Sequence, residues 1–185
     1  MTKKDDERNI LEKFIHKSDM NIQILSFDNA LKEFPGYKNE NPDFIIRFNN
    51  ELIGIELFKL ISSQYVPSVL STEEQKLNIV NLPHLKSKRE KLKTKLLYEN
   101  EDLGKVSVER INSKDEKIKL YVTDKVWLIG YANEGYNFSL INTYVEDGEL
   151  DNIRNYIISN ITVNDRVVHI YLFQCCGREI IFAIK

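Results

Sequence analysis

The chain of 185 residues is short of cysteine, glycine, proline and histidine, and each shortage excludes a class of protein. Its two cysteines, Cys175 and Cys176, are neighbours with no third to pair with, so a disulfide framework is ruled out and both are expected to be reduced and structural. The seven glycines form no Gly-rich phosphate loop, and no G-x-S-x-G elbow is present to raise a nucleophilic serine. The three histidines, His16, His84 and His169, lie far apart without metal-ligand spacing. No apolar run approaches the ~18 residues that cross a bilayer. The first residues, MTKKDDERN, are charged and carry no apolar stretch with a cleavage site, so a secretory signal is not expected and a cytoplasmic location is.

What remains is ordinary in bulk and uneven in detail. Charged residues make up 29% and hydrophobic ones 42%, close to the soluble globular average, and the length suits one compact domain spanning residues 1–185. Net charge is −2, which argues against a general nucleic-acid coat. From His84 to Lys95, however, the chain reads HLKSKREKLKTK. Lys86, Lys88, Arg89, Lys91, Lys93 and Lys95 face the single acid Glu90 there. Such a local positive field is expected where phosphate is held on one face, although a basic run is more often a solvated helix face.

Hydrophobic spacing predicts the element order. A helix over 4–17 places Ile10, Leu11, Phe14 and Ile15 on one stripe, with acids in its first turn. A short strand over 20–27 and a helical turn over 30–34 end at Pro35-Gly36. Strands over 43–48 and 51–58 are joined at Asn49-Asn50, which suits a tight hairpin because asparagine tolerates positive φ. A capped helix is expected from Ser71, interrupted by Pro83, then a second from His84 to Glu99. Residues 100–119 are expected to be a polar surface excursion. Strands over 125–132, 167–174 and 179–184 and a helix over 148–159 complete an α/β fold, a mixed central sheet flanked by helices.

The stretch NPDFIIRFNNELIGIELFKL, residues 41–60, carries the most chemistry. Glu56 sits inside an otherwise apolar strand, where a carboxylate is costly unless exposed, paired or bound to a cation. Asp43 follows Pro42, which marks the entry of the preceding strand. A symmetric hairpin closed at Asn49-Asn50 brings Asp43 beside residues 56 and 57. Two hard oxygen ligands at close range are what Mg²⁺ takes from a protein. Read singly, Asp43 is also a plain turn residue and Glu56 an edge-strand charge.

Pro42-Asp43 on one strand and Glu56 on the next resemble the PD-(D/E)XK nuclease superfamily. That resemblance implies a restriction-endonuclease-like fold and metal-dependent hydrolysis of phosphodiester bonds, in DNA before RNA. It implies Mg²⁺ or Mn²⁺ held by Asp43, Glu56 and the Leu57 carbonyl, with an auxiliary acid on the first helix, Glu7 or Glu12. The pattern departs at its lysine: the second residue after Glu56 is Phe58, and Lys59 comes one later, on the opposite face by alternation. Three readings follow. A β-bulge turns Lys59 inward, Lys76 on the next helix supplies the cation, or the chain is a catalytically inactive module that binds nucleic acid or a protein partner. In the active readings, Lys86 to Lys95 position the nucleic-acid backbone without reading sequence.

Overall fold

The computed structural model describes residues 2–37, 41–60, 103–132, 150–175 and 179–185. Among these, helices α1 (Lys3–Ser18), α2 (Phe27–Glu33), α3 (Leu103–Asn112), α4 (Asp115–Ile118) and α5 (Leu150–Asn160) surround one six-stranded sheet. Its strands are β1 (Ile22–Ile24), β2 (Phe44–Phe48), β3 (Glu51–Lys59), β4 (Val126–Ala132), β5 (Val167–Gln174) and β6 (Ile180–Ala183), and their spatial order follows the chain. Pairing is antiparallel from β1 to β3, parallel from β3 to β5, and antiparallel at β6. The mixed sheet expected from the sequence is therefore present. No helix among the described residues is long and apolar enough to cross a membrane.

Three of the early elements begin for local reasons. Thr2 and Asp5 form a reciprocal capping box at the start of α1, and Asp19 closes that helix in the left-handed region at φ 54°. Asn49 and Asn50 adopt φ 49° and 62°, the paired positive values of a two-residue hairpin, and so fix the β2–β3 register. The run expected to be a strand over 20–27 is shorter than the spacing suggested. Ser26 caps α2, ending the extended stretch at Ile24 and turning Phe27 into a helical residue.

Alternation along the strands divides the core in two. One face gathers Phe44, Ile46, Ile53, Ile55, Leu57, Trp127, Ile129 and Phe173 under Ile10, Leu11 and Phe14 of α1. The other gathers Phe58, Leu128, Ile170, Leu172 and Phe182 under Leu103 and Ile111 of α3, Ile118 of α4, and Ile153 and Ile157 of α5. A third, smaller cluster, Ala30, Tyr37 and Ile45, lies beneath α2. Gly130 leaves the room that the Phe58 ring fills: a Cβ there would stand 2.6 Å from Phe58 Cε2 and Cζ.

Candidate functional site

The last paired residues at the open end of the hairpin are Phe44 and Ile55, so continuing the register by one sets Asp43 opposite Glu56. Opposed residues project to one face, and that is the face Glu56 shares with Gly54 and Phe58. The two acids expected to meet do meet there. Asp43 Oδ2 accepts a hydrogen bond from the Leu57 N–H at 2.8 Å, which ties the carboxylate to β3 just beyond the end of the pairing. A strand residue directs its N–H and C=O to the same edge, so the Leu57 carbonyl faces the same gap.

Glu56 is only 1% exposed, and an isolated charge at that depth would not survive. Three groups compensate it. Lys114 Nζ lies 2.9 Å from Oε1, Lys117 Nζ lies 3.1 Å from Oε1 and 3.0 Å from Oε2, and the Tyr121 hydroxyl donates to Oε2. Lys117 also reaches Asp43 Oδ1 at 3.9 Å, so one ammonium is shared by both acids. Burial pushes the Glu56 carboxyl up, but Lys114, Tyr121 and Lys117 together outweigh it and hold the group below the usual range. Asp43 goes the other way. Burial and the Glu56 charge push it up to about 7, with Glu7 adding to the rise, against the Leu57 N–H and Lys117.

These cations come from a segment that the sequence reading expected to be irregular. From residue 103 on this segment forms α3 and α4 instead, because Leu103, Ser107 and Ile111 recur at four-residue spacing, with Val106 beside them, and Ile118 of α4 packs into the same core. Asn112 pins the end of α3 to the end of α5, accepting from Thr162 N at 2.8 Å and donating to the Asn160 carbonyl at 3.3 Å. Arg166 Nη1 donates to the Tyr121 carbonyl at 3.1 Å and anchors the other side. Lys114, Lys117 and Tyr121 thus stand three and four residues apart on a braced turn. That spacing was the available signal, and the polar character of SKDEKIK concealed it.

Lys59 does not join the site. Pairing of β3 with β4 runs without offset from Gly54↔Val126 to Lys59↔Tyr131, so no bulge turns it inward, and its side chain is exposed. Of the two helix acids, Glu7 is within electrostatic range of Asp43 and pairs with Lys3 at 3.3 Å, whereas Glu12 is held by Arg8 on the exposed side of α1. Lys76, Lys86, Lys88, Arg89, Lys91, Lys93 and Lys95 lie outside the described residues. Among the described residues no three histidine, cysteine, aspartate or glutamate side chains come together as a metal cluster.

The site therefore consists of two unlike carboxylates, one depressed and one raised in pKa, with a shared ammonium between them. Such an arrangement can hold charge at a fixed place and present both a cation and a proton acceptor to a bound anion. No protein-family model matches the chain, and comparison with curated proteins and with solved structures finds no significant match.

Proposed function

We propose that the chain is a metal-dependent phosphodiesterase acting on nucleic acid, DNA before RNA, on a restriction-endonuclease-like frame. The observation that carries this reading is the convergence of Asp43, Glu56 and Lys117, two acids and one cation at the open end of a hairpin entered by Pro42-Asp43. Asp43, Glu56 and the Leu57 carbonyl are hard oxygen donors of the type Mg²⁺ or Mn²⁺ takes, few enough to leave positions for water. Bound by them, a divalent ion supplies activation of water and neutralisation of phosphate charge. Lys114 and Tyr121 keep Glu56 ionised and oriented, and the Leu57 N–H does the same for one oxygen of Asp43. Lys117 fills the role that the sequence pattern gives to the displaced lysine: its ammonium, still partly exposed, stabilises charge developing on a phosphate.

A second reading has its own support, because both oxygens of Glu56 already accept from protein groups and its charge is balanced with no added ion. On that reading the frame is an inactive module that binds nucleic acid or a protein. The test is cleavage of labelled single- and double-stranded DNA and RNA with Mg²⁺ or Mn²⁺. Lys117→Ala should lower the rate by about 10²-fold or more, the scale of losing one charge-stabilising donor. Lys59→Ala should leave it within about twofold, since an exposed side chain on the opposite face makes no such contact. Absence of cleavage by the unaltered chain on every substrate, with nucleic-acid binding retained, would favour the inactive module.

A further inference from the structure

Gly54 lies two residues before Glu56 and points its missing side chain to the same face of β3. A Cβ built there would overlap Thr123 Oγ1 and stand 2.7 Å from Pro42 Cγ and 3.2 Å from Pro42 Cβ. Real Cβ atoms do not come so close to a ring, so the space is open only to glycine. Pro42 is buried in it, and its carbonyl accepts from the Tyr37 hydroxyl at 3.3 Å. Thr123, fully buried, shares the space, and among the described residues its hydroxyl has no hydrogen-bond partner, so it fills the space by its shape. The next residue after Pro42 is Asp43, whose carboxylate accepts from the Leu57 N–H at 2.8 Å.

We propose that Gly54 is the positioning residue of the site: the seat left by its absent side chain holds the Pro42 ring and thereby sets the Asp43 carboxylate against Leu57 and Lys117. The functional meaning of this seat rests on the phosphodiesterase reading, but its geometry does not. The hairpin register fixes the chain up to Phe44, paired with Ile55, and burial of Pro42 against β3 sets the path just before it, from which the Asp43 carboxylate is aimed. A Cβ at position 54 lifts the ring and moves Asp43 away from the Leu57 amide. Glu56 stays in place, because Lys114, Lys117 and Tyr121 hold it from the helical side.

The test separates positioning from packing. Gly54→Ala is made in a Thr123→Ala background, which removes the overlap with the threonine hydroxyl and leaves Pro42 as the group that must move. Amide hydrogen exchange is followed by NMR in the metal-free full chain, with β4 amides as the internal reference. The Leu57 amide should lose about tenfold of its protection relative to β4, as expected when its hydrogen bond to the Asp43 carboxyl is broken. Unchanged relative protection of Leu57 in the folded variant would overturn the proposal, since pure packing damage lowers protection throughout the sheet. Should the double variant fail to fold, Pro42→Ala empties the seat from the other side. Loss of Leu57 protection in it supports the proposal, and retention overturns it. Neither readout involves substrate or metal, so absence of cleavage would count against the phosphodiesterase reading alone.

Discussion

At Asp43 two influences oppose each other, and the balance is measurable. Burial and the neighbouring Glu56 charge push its carboxyl up to about 7, whereas in an unfolded chain an aspartate titrates near 3.9. The folded protein therefore binds this proton more tightly than the unfolded one. Its contribution to stability is complete below about pH 4 and is lost as pH rises through about 7. Glu56 has the opposite sign, but its folded pKa lies below the ordinary 4.5, so its window falls outside the range between pH 5 and 8. The substitution Asp43→Asn mimics the protonated acid, and the amide it introduces still offers an oxygen to the Leu57 N–H. Relative to the unaltered chain, that variant should gain on the order of 1–2 kcal/mol between pH 5 and pH 8. Urea midpoints at the two pH values, taken in EDTA, measure the gain. A stability difference that does not change with pH would mean that Asp43 titrates as it does in the unfolded chain.

Helix α4 and strand β3 show, at the scale of elements, how unevenly a sequence reveals its fold. The β2–β3 hairpin was legible because two signals agreed: Asn49-Asn50 demanded positive φ, and alternation on either side set one register. That register was enough to expect Asp43 opposite Glu56, though not the seat at Gly54 that aims its carboxylate. Residues 103–118 were not legible, because two short helices rich in lysine and acid resemble a solvated loop until the packing of Ile111 and Ile118 is seen. The cations of the site were missed with them. Lys114 and Lys117 lie 58 and 61 residues along the chain from Glu56, a separation over which no local pattern operates. Between β3 and β4 a different constraint acts, since Gly130 makes room for the Phe58 ring with no space to spare. Gly130→Ala should cost about 1–3 kcal/mol as an overpacked core position. In a Phe58→Leu background the same change should cost at least about 1 kcal/mol less, a coupling that a double-mutant cycle in urea would detect. Equal costs in the two backgrounds would show that the ring yields freely.

Across the whole molecule the carboxylates sit where the sheet changes cover. On one face of the sheet α2 lies over the β1–β2 end and α3, α4 and α5 over the rest, and the acids occupy the boundary between those apolar clusters. Glu56 is fully buried at this boundary and depends on Lys114, Lys117 and Tyr121, whereas Asp43 is partly buried and Lys117 keeps contact with solvent. A polymer substrate docking at this boundary needs its backbone held beyond the acids, and the described residues supply little for that. Their other cations are largely taken: Lys125 by Glu51, Lys119 by Asp115 and Glu116, Arg47 by Glu33, Arg154 by Asp151. On the proposed phosphodiesterase reading, phosphate would be held by the cation-rich run from Lys86 to Lys95, which lies outside the described residues. Binding through it should be indifferent to sequence and should weaken with salt, because each phosphate neutralised on duplex DNA releases about 0.9 of a counterion. Replacing Lys86, Lys88, Arg89 and Lys91 with glutamine should lower affinity for random duplexes uniformly and flatten the log–log salt slope by roughly one unit for each phosphate that is no longer neutralised. Fluorescence anisotropy over a salt series measures the slope without requiring cleavage, so the result bears on holding alone. A slope unchanged in the fourfold variant would make the run a solvated face and leave Lys114 and Lys117, within the site itself, as the groups that meet phosphate.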